Sequence, residues 1–135
     1  MSDSLIDKLN EALAWELRAM NMYAHYASYV TGIYRLHLAP HFQQEAAESM
    51  AHASAIRDAI AKLEGVAVTT AADVEIVHTN SYEVMLEESL MTEKKAASTY
   101  REILGEIDPD DEMFDVVQQI QFAEQRSVDE LMRLM

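Results

Sequence analysis

Cysteine is absent from this chain of 135 residues, glycine occurs three times and proline twice. Without a thiol, disulfides, thiolate catalysis and zinc–thiolate sites are excluded. So few glycines and prolines leave few places where a helix must stop, which favours long helices over many short strands. Positive charge is scarce as well. Ten Lys and Arg stand against 24 Asp and Glu, for a formal charge of −14. Such a surface repels phosphate backbones and anionic lipid and attracts cations, so neither nucleic acid nor membrane is expected as a partner. There is no basic run, no glycine-rich phosphate loop and no stretch apolar enough to span a bilayer. The opening MSDSLIDKLN lacks the basic and apolar regions of a signal peptide, and a cytoplasmic location is expected.

Half of the residues are hydrophobic, enough for one compact domain over residues 1–135. Their spacing alternates between three and four in four segments, the period of an amphipathic helix facing a bundle core. The first seam runs Leu5, Leu9, Ala12, Glu16, Met20, Tyr23, Ala27, Val30, and the second Leu38, Phe42, Glu45, Ser49, His52, Ile56, Ala59, Leu63. The third runs Tyr82, Leu86, Ser89, Glu93, Ala96, Tyr100, Ile103, Ile107, and the fourth Met113, Val117, Ile120, Glu124, Ser127, Leu131, Leu134. Helices are expected near 3–31, 39–64, 81–107 and 110–134. Pro40 suits the first turn of the second or a kink close to its start, Asn80 with Glu83 has capping-box spacing before the third, and Asp108-Pro109 suits the start of the fourth.

Short links make each successive pair an antiparallel hairpin. Between the pairs lies a segment without helical period, Val66 to Asn80. Fully extended it reaches roughly 50 Å, against about 38 Å for a 25-residue helix. It can therefore run the length of the bundle and make helices two and three parallel. The expected fold is an all-α four-helix bundle, up-down-down-up, with one long crossover.

The seams that carry Leu and Ile also carry Glu16, Glu45, Ser49, His52, Glu93, Glu124 and Ser127, most of them at mid-helix. Buried carboxylates without partners are costly, and several together repel one another. A divalent cation relieves both problems. The plainer alternative is a polar core layer in which Tyr23, Tyr100, Ser49 and Ser127 hydrogen-bond carboxylates, some of them protonated. The two halves of the chain also share a pattern: Glu16-x-x-Ala19-x-x-x-Tyr23 recurs as Glu93-x-x-Ala96-x-x-x-Tyr100. Each half then offers a pair three residues apart, Ser49 with His52 and Glu124 with Ser127.

With Glu on the first and third helices and remnants of Glu-x-x-His on the second and fourth, the chain resembles the ferritin-like di-iron carboxylate proteins. It looks most like bacterioferritin, through WELRAMNMY at 15–23, SMAHA at 49–53, KLEG at 62–65 and the run from Glu93 to Glu102. The resemblance implies Glu16, His52, Glu93 and Glu124 as iron ligands and Tyr23 as the tyrosine beside the iron centre. Ser49 stands where the family has a bridging Glu, and Ser127 where it has a His. One well-made metal position is therefore expected, with Glu45 and Glu48 as second-choice ligands. The same resemblance implies haem at Met50, one Met from each subunit of a dimer, although Met at such a position is also a common gap-filler. The remaining histidines, His25, His37, His41 and His78, read as solvated. Because the chain stops at Met135, without a further short helix, a homodimer is expected rather than a cage.

Two functions follow as expectations. One is a ferritin-like iron-binding protein that oxidises Fe(II) inside the bundle, a ferroxidase. The other is a degenerate ferritin-like scaffold or interaction protein without a working metal site, or a haem-binding dimer.

Overall fold

The computed structural model describes residues 2–135, and among them there are four helices and no strand. They are α1 (Ser2–Tyr29), α2 (Arg35–Lys62), α3 (Tyr82–Leu104) and α4 (Glu112–Leu134). The seams fold as their spacing predicts, and the differences lie at the ends. α2 begins at Arg35, four residues before its expected start, so Pro40 lies inside the helix and not in its first turn. Its missing N–H deprives the carbonyl of Leu36 of a helical donor. Leu36 is 77% exposed, so water can take that place at little cost. The cap of α3 is Ser81, whose hydroxyl accepts from the amide of Val84 at 3.3 Å, and not Asn80. Asp111, not Asp108, caps α4 by accepting from Met113 at 2.9 Å, while Asp108 closes the preceding turn through Asp110.

α2 ends in a reversal whose amides bond back on the helix, Glu64 to Ala61 and Gly65 to Ile60, both at 3.0 Å. The left-handed residue of this turn is Glu64, at φ 63°, not the glycine beside it. Gly65 is needed for closeness: a Cβ there would stand 3.0 Å from the Ile6 side chain on α1 and 3.2 Å from Ile60.

The crossover rises along α1. Asn10 donates to the carbonyl of Val66 at 3.0 Å and accepts from the amide of Val68 at 2.8 Å. Further along, the amide of Ala72 donates to the carbonyl of Ala14, Arg18 reaches the carbonyls of Val74 and Glu75, and Tyr26 donates to Val77. Strap and helix thus advance in the same direction, which carries the chain back to the end where α2 began. α2 and α3 run parallel, as the length of the link requires. Arg18 is the main fastener. It is 1% exposed, has no ion-pair partner among the described residues, and donates to two carbonyls and to Thr92 of α3 at 2.8 to 2.9 Å. Its guanidinium also lies 5.4 Å from the Trp15 ring centre.

The hydrophobic core is divided. One cluster gathers Leu9, Leu13, Ile56, Ile60, Ile103 and Val117 at one end. The other gathers Met22, Tyr26, Phe42, Met85, Leu86 and Leu131 at the opposite end. The polar seam residues form the layer between them. The apolar ends supply the burial energy that holds those carboxylates out of water.

Candidate metal centre

Each helix contributes to the polar layer because the three-four spacing continues through it without a break. Glu16 is 1% exposed, His52 9%, Glu93 3% and Glu124 2%. Glu16, His52 and Glu124 converge: one ligand atom of each lies within 4.8 Å of the others. His52 Nδ1 stands 2.7 Å from Glu124 Oε1 and 3.3 Å from Glu16 Oε2. Tyr100 donates its hydroxyl to that same Glu16 oxygen at 2.6 Å. The second oxygens, Glu16 Oε1 and Glu124 Oε2, are buried without any hydrogen-bond partner.

Burial and neighbouring charge shift the protonation of several groups in the layer. Burial, then the charge of Glu124, pushes the Glu93 carboxyl well above the usual carboxylate range. Burial, then Glu16, does the same to Glu124. Glu45 is raised by burial, with Ser127 opposing. For His52, burial disfavours the charged ring, but the hydrogen bond and charge of Glu16 and the charges of Glu48 and Glu93 outweigh it, so its pKa rises. The proton held between His52 Nδ1 and Glu124 Oε1, on whichever of the two it sits, occupies the place a cation would take.

Of the residues singled out in the sequence, Glu16, His52 and Glu124 come together as one group. Glu93 faces Glu124 from α3 but is not part of that group. Glu48 lies 3.8 Å from His52 Nε2, on the side of the ring away from the other two carboxylates. Tyr23 is fully buried, its hydroxyl has no partner, and burial followed by the charges of Glu93, Glu45 and Glu124 holds it neutral. The polar-layer reading is met by Tyr100 and not by Tyr23. Met50 is 60% exposed on α2.

Ser127 has a structural consequence that spacing does not reveal. It lines a cavity of about 310 Å³ between α2 and α4, together with Ala123, Glu45, Glu48, His41 and Glu130. A small residue on α4 leaves open the space a larger ring would fill. His41, expected to be solvated, is half-buried there, its Nε2 has no partner, and burial lowers its pKa. Helical spacing carries no signal for it, because position 41 lies one residue off the seam.

The residues fit one divalent ion. Two orphaned carboxylate oxygens and an imidazole nitrogen on facing helices supply the oxygen and nitrogen donors that Fe(II), Mn(II) or Zn(II) accept.

The family model described as ferritin-like domain matches residues 6–135. A crystal structure of ferritin-like, diiron-carboxylate proteins from Bacillus anthracis str. Ames superposes with a TM-score of 0.90, at 29% identity over 99% of each chain. The dodecameric thioferritin of Bacteroides fragilis, a bacterioferritin-related protein, gives the same TM-score at 27% identity, over 98% of this chain and 84% of that one. No protein among those with curated descriptions matches by sequence.

Proposed function

We propose a metal-dependent function for this chain, which belongs to the ferritin-like domain family. One divalent iron per chain binds among Glu16, His52 and Glu124, and is oxidised there. The observation that carries this reading is the convergence of those three side chains, with two carboxylate oxygens left unpaired, in a layer that interrupts the core. Iron is the ion assigned because the Bacillus anthracis relative is described as a diiron-carboxylate protein.

The chain's own residues have definable parts. His52 gives up the Nδ1 proton it shares with Glu124 and offers a lone pair in its place. Tyr100 holds the Glu16 oxygen that stands nearest His52, and the second Glu16 oxygen is left without a partner. Glu93 completes the layer from α3 and serves a weaker second position with Glu124, while Glu45 and Glu48 stand at its edge toward the α2–α4 cavity. Iron here is substrate, and each Fe(II) yields one electron. A peroxide accepts two, so the second must come from another Fe(II) or from Tyr23, which is buried beside the carboxylates.

The test is elemental analysis and Fe(II) oxidation by wild type and by His52→Ala. The expected result is more than zero but fewer than two tightly held ions per chain, and loss of both binding and oxidation in the variant. Two equally occupied ions would show that Glu45 or Glu48 completes a pair.

The scaffold reading has its own support, since Tyr100 and His52 already satisfy part of the layer without an ion. No bound metal after iron loading would favour it. Haem retains one supporting observation, the exposed Met50 thioether, and a Soret band absent from Met50→Leu would establish it. We assign a cytoplasmic homodimer as the working form; the Bacteroides fragilis relative is a dodecamer, and solution mass decides between them.

A further inference from the structure

Two histidines meet away from the polar layer of the core. His25 on α1 and His78 on the crossover place Nε2 and Nδ1 2.9 Å apart, near the surface. Their rings are edge-on, 72° between planes with centroids 5.1 Å apart. Both are held in place. Tyr29 packs against each, with ring centroids at 4.6 Å from His25 and 4.7 Å from His78. Tyr26 fixes the strap one residue before His78 by donating to the carbonyl of Val77 at 2.8 Å.

We propose that His25 and His78 form a separate metal site on the outer face of the bundle, which binds one Cu(II) or Ni(II) ion through two imidazole nitrogens in adjacent coordination positions. The separation, which the hydrogen bond between the rings sets, also matches one coordination geometry. Two nitrogens about 2.05 Å from one ion stand about 2.9 Å apart at a right angle and about 3.3 Å apart at the tetrahedral angle. The observed spacing is that of neighbouring positions in a square-planar or octahedral ion, which Cu(II) and Ni(II) prefer and Zn(II) does not. In the hydrogen-bonded pair one facing nitrogen carries a proton. Binding requires that both rings keep their proton on the outer nitrogen, a tautomer shift in one ring that releases no net proton. Each ring then turns by roughly 45° from the hydrogen-bond line so that both lone pairs meet at a shared point, and water fills the remaining positions. The formal charge of −14 raises the local concentration of cations around the pair. Because one ligand is on α1 and the other on the strap, the ion also ties the end of the crossover to the bundle.

The test is titration of the full chain with Cu(II) alone near neutral pH, read by binding stoichiometry and by the nitrogen splitting of the copper resonance. Wild type should show one equivalent with a two-nitrogen signature that persists in His52→Ala, which separates it from the core centre. In His25→Asn and in His78→Asn the affinity of that equivalent should fall by about ten- to a hundred-fold, at least what losing an outer-shell partner costs. The double variant should lose less than the two single losses combined. His25→Gln and His78→Gln, with apo melting curves, check that the helix and strap remain folded. Retention of the signal in either single variant, or losses that add in the double, would overturn the site.

Discussion

Tyr100 on α3 donates its hydroxyl to Glu16 on α1 at 2.6 Å, across a part of the bundle where neither side chain reaches water. The bond fixes the Glu16 oxygen that stands 3.3 Å from His52 Nδ1 and leaves the other buried and unpaired. Tyr100 is therefore a positioning residue for the centre. In Tyr100→Phe the affinity for Fe(II) or Zn(II) should fall about ten- to a hundred-fold, the usual effect of losing a partner that orients a ligand. Apo stability should fall by about 1–3 kcal/mol, because a buried carboxylate oxygen loses its donor. Metal titration and denaturant unfolding measure the two separately. Unchanged metal affinity with reduced stability would make the bond purely structural.

The layer also sets a pH dependence. Glu93, Glu124 and Glu45 are raised by burial, and His52 is raised by the carboxylates around it. Each binds its proton more tightly in the folded chain than in the unfolded one. Its stabilising share is complete below the unfolded value, about 4.3 for Glu and 6.5 for His, and is lost as pH climbs through the folded value. Apo protein should therefore melt at a higher temperature at pH 5.5 than at pH 7.5. Saturating Zn(II) should shrink or reverse that difference, since an ion binds the deprotonated ligands. Melting curves at both pH values, with and without metal, give the result; a flat apo profile contradicts these shifts.

Ser127 stands where the family resemblance places a histidine, and it opens onto a cavity of about 310 Å³. There is room for an imidazole. Ser127→His would place an imidazole on this face of α4, where the resemblance expects it to serve a second position with Glu93 and Glu124. Elemental analysis should then rise from one ion per chain toward two, with faster Fe(II) oxidation. An unchanged count would place the limit at Ser49, where the bridging carboxylate is missing.

Arg18 concerns the crossover. Its guanidinium donates to Val74, Glu75 and Thr92 in a site without a carboxylate partner, and a lysine cannot span all three. Arg18→Lys should cost about 1–3 kcal/mol, as acceptors that are only part-buried on the strap lose their donor. Hydrogen exchange should quicken first at residues 72–78, before the helices open. Uniform exchange across the bundle would show that the strap is not separately fastened.

The seams, the four helices and the parallel arrangement of α2 and α3 were legible in the residues, because helical period and chain length are local quantities. Glu16, His52, Glu93 and Glu124 were legible too, as charge at positions where a core helix repeats Leu or Ile. The ends of helices were less so. Ser81, not Asn80, caps α3, and Asp111, not Asp108, caps α4, because several acceptors compete within two or three residues and backbone direction selects one.

Other features needed the assembled bundle. That Glu16, His52 and Glu124 meet while Glu93 remains beside them depends on side-chain directions set by how four helices cross. The burial of Arg18, the half-burial of His41 and the pairing of His25 with His78 depend on which face the strap and α4 cover. The sequence by itself determined which residues share a face, because that follows from 3.6 residues per turn. Only tertiary structure decided which faces meet and which polar atoms find partners, because burial and pairing arise between segments far apart in the chain.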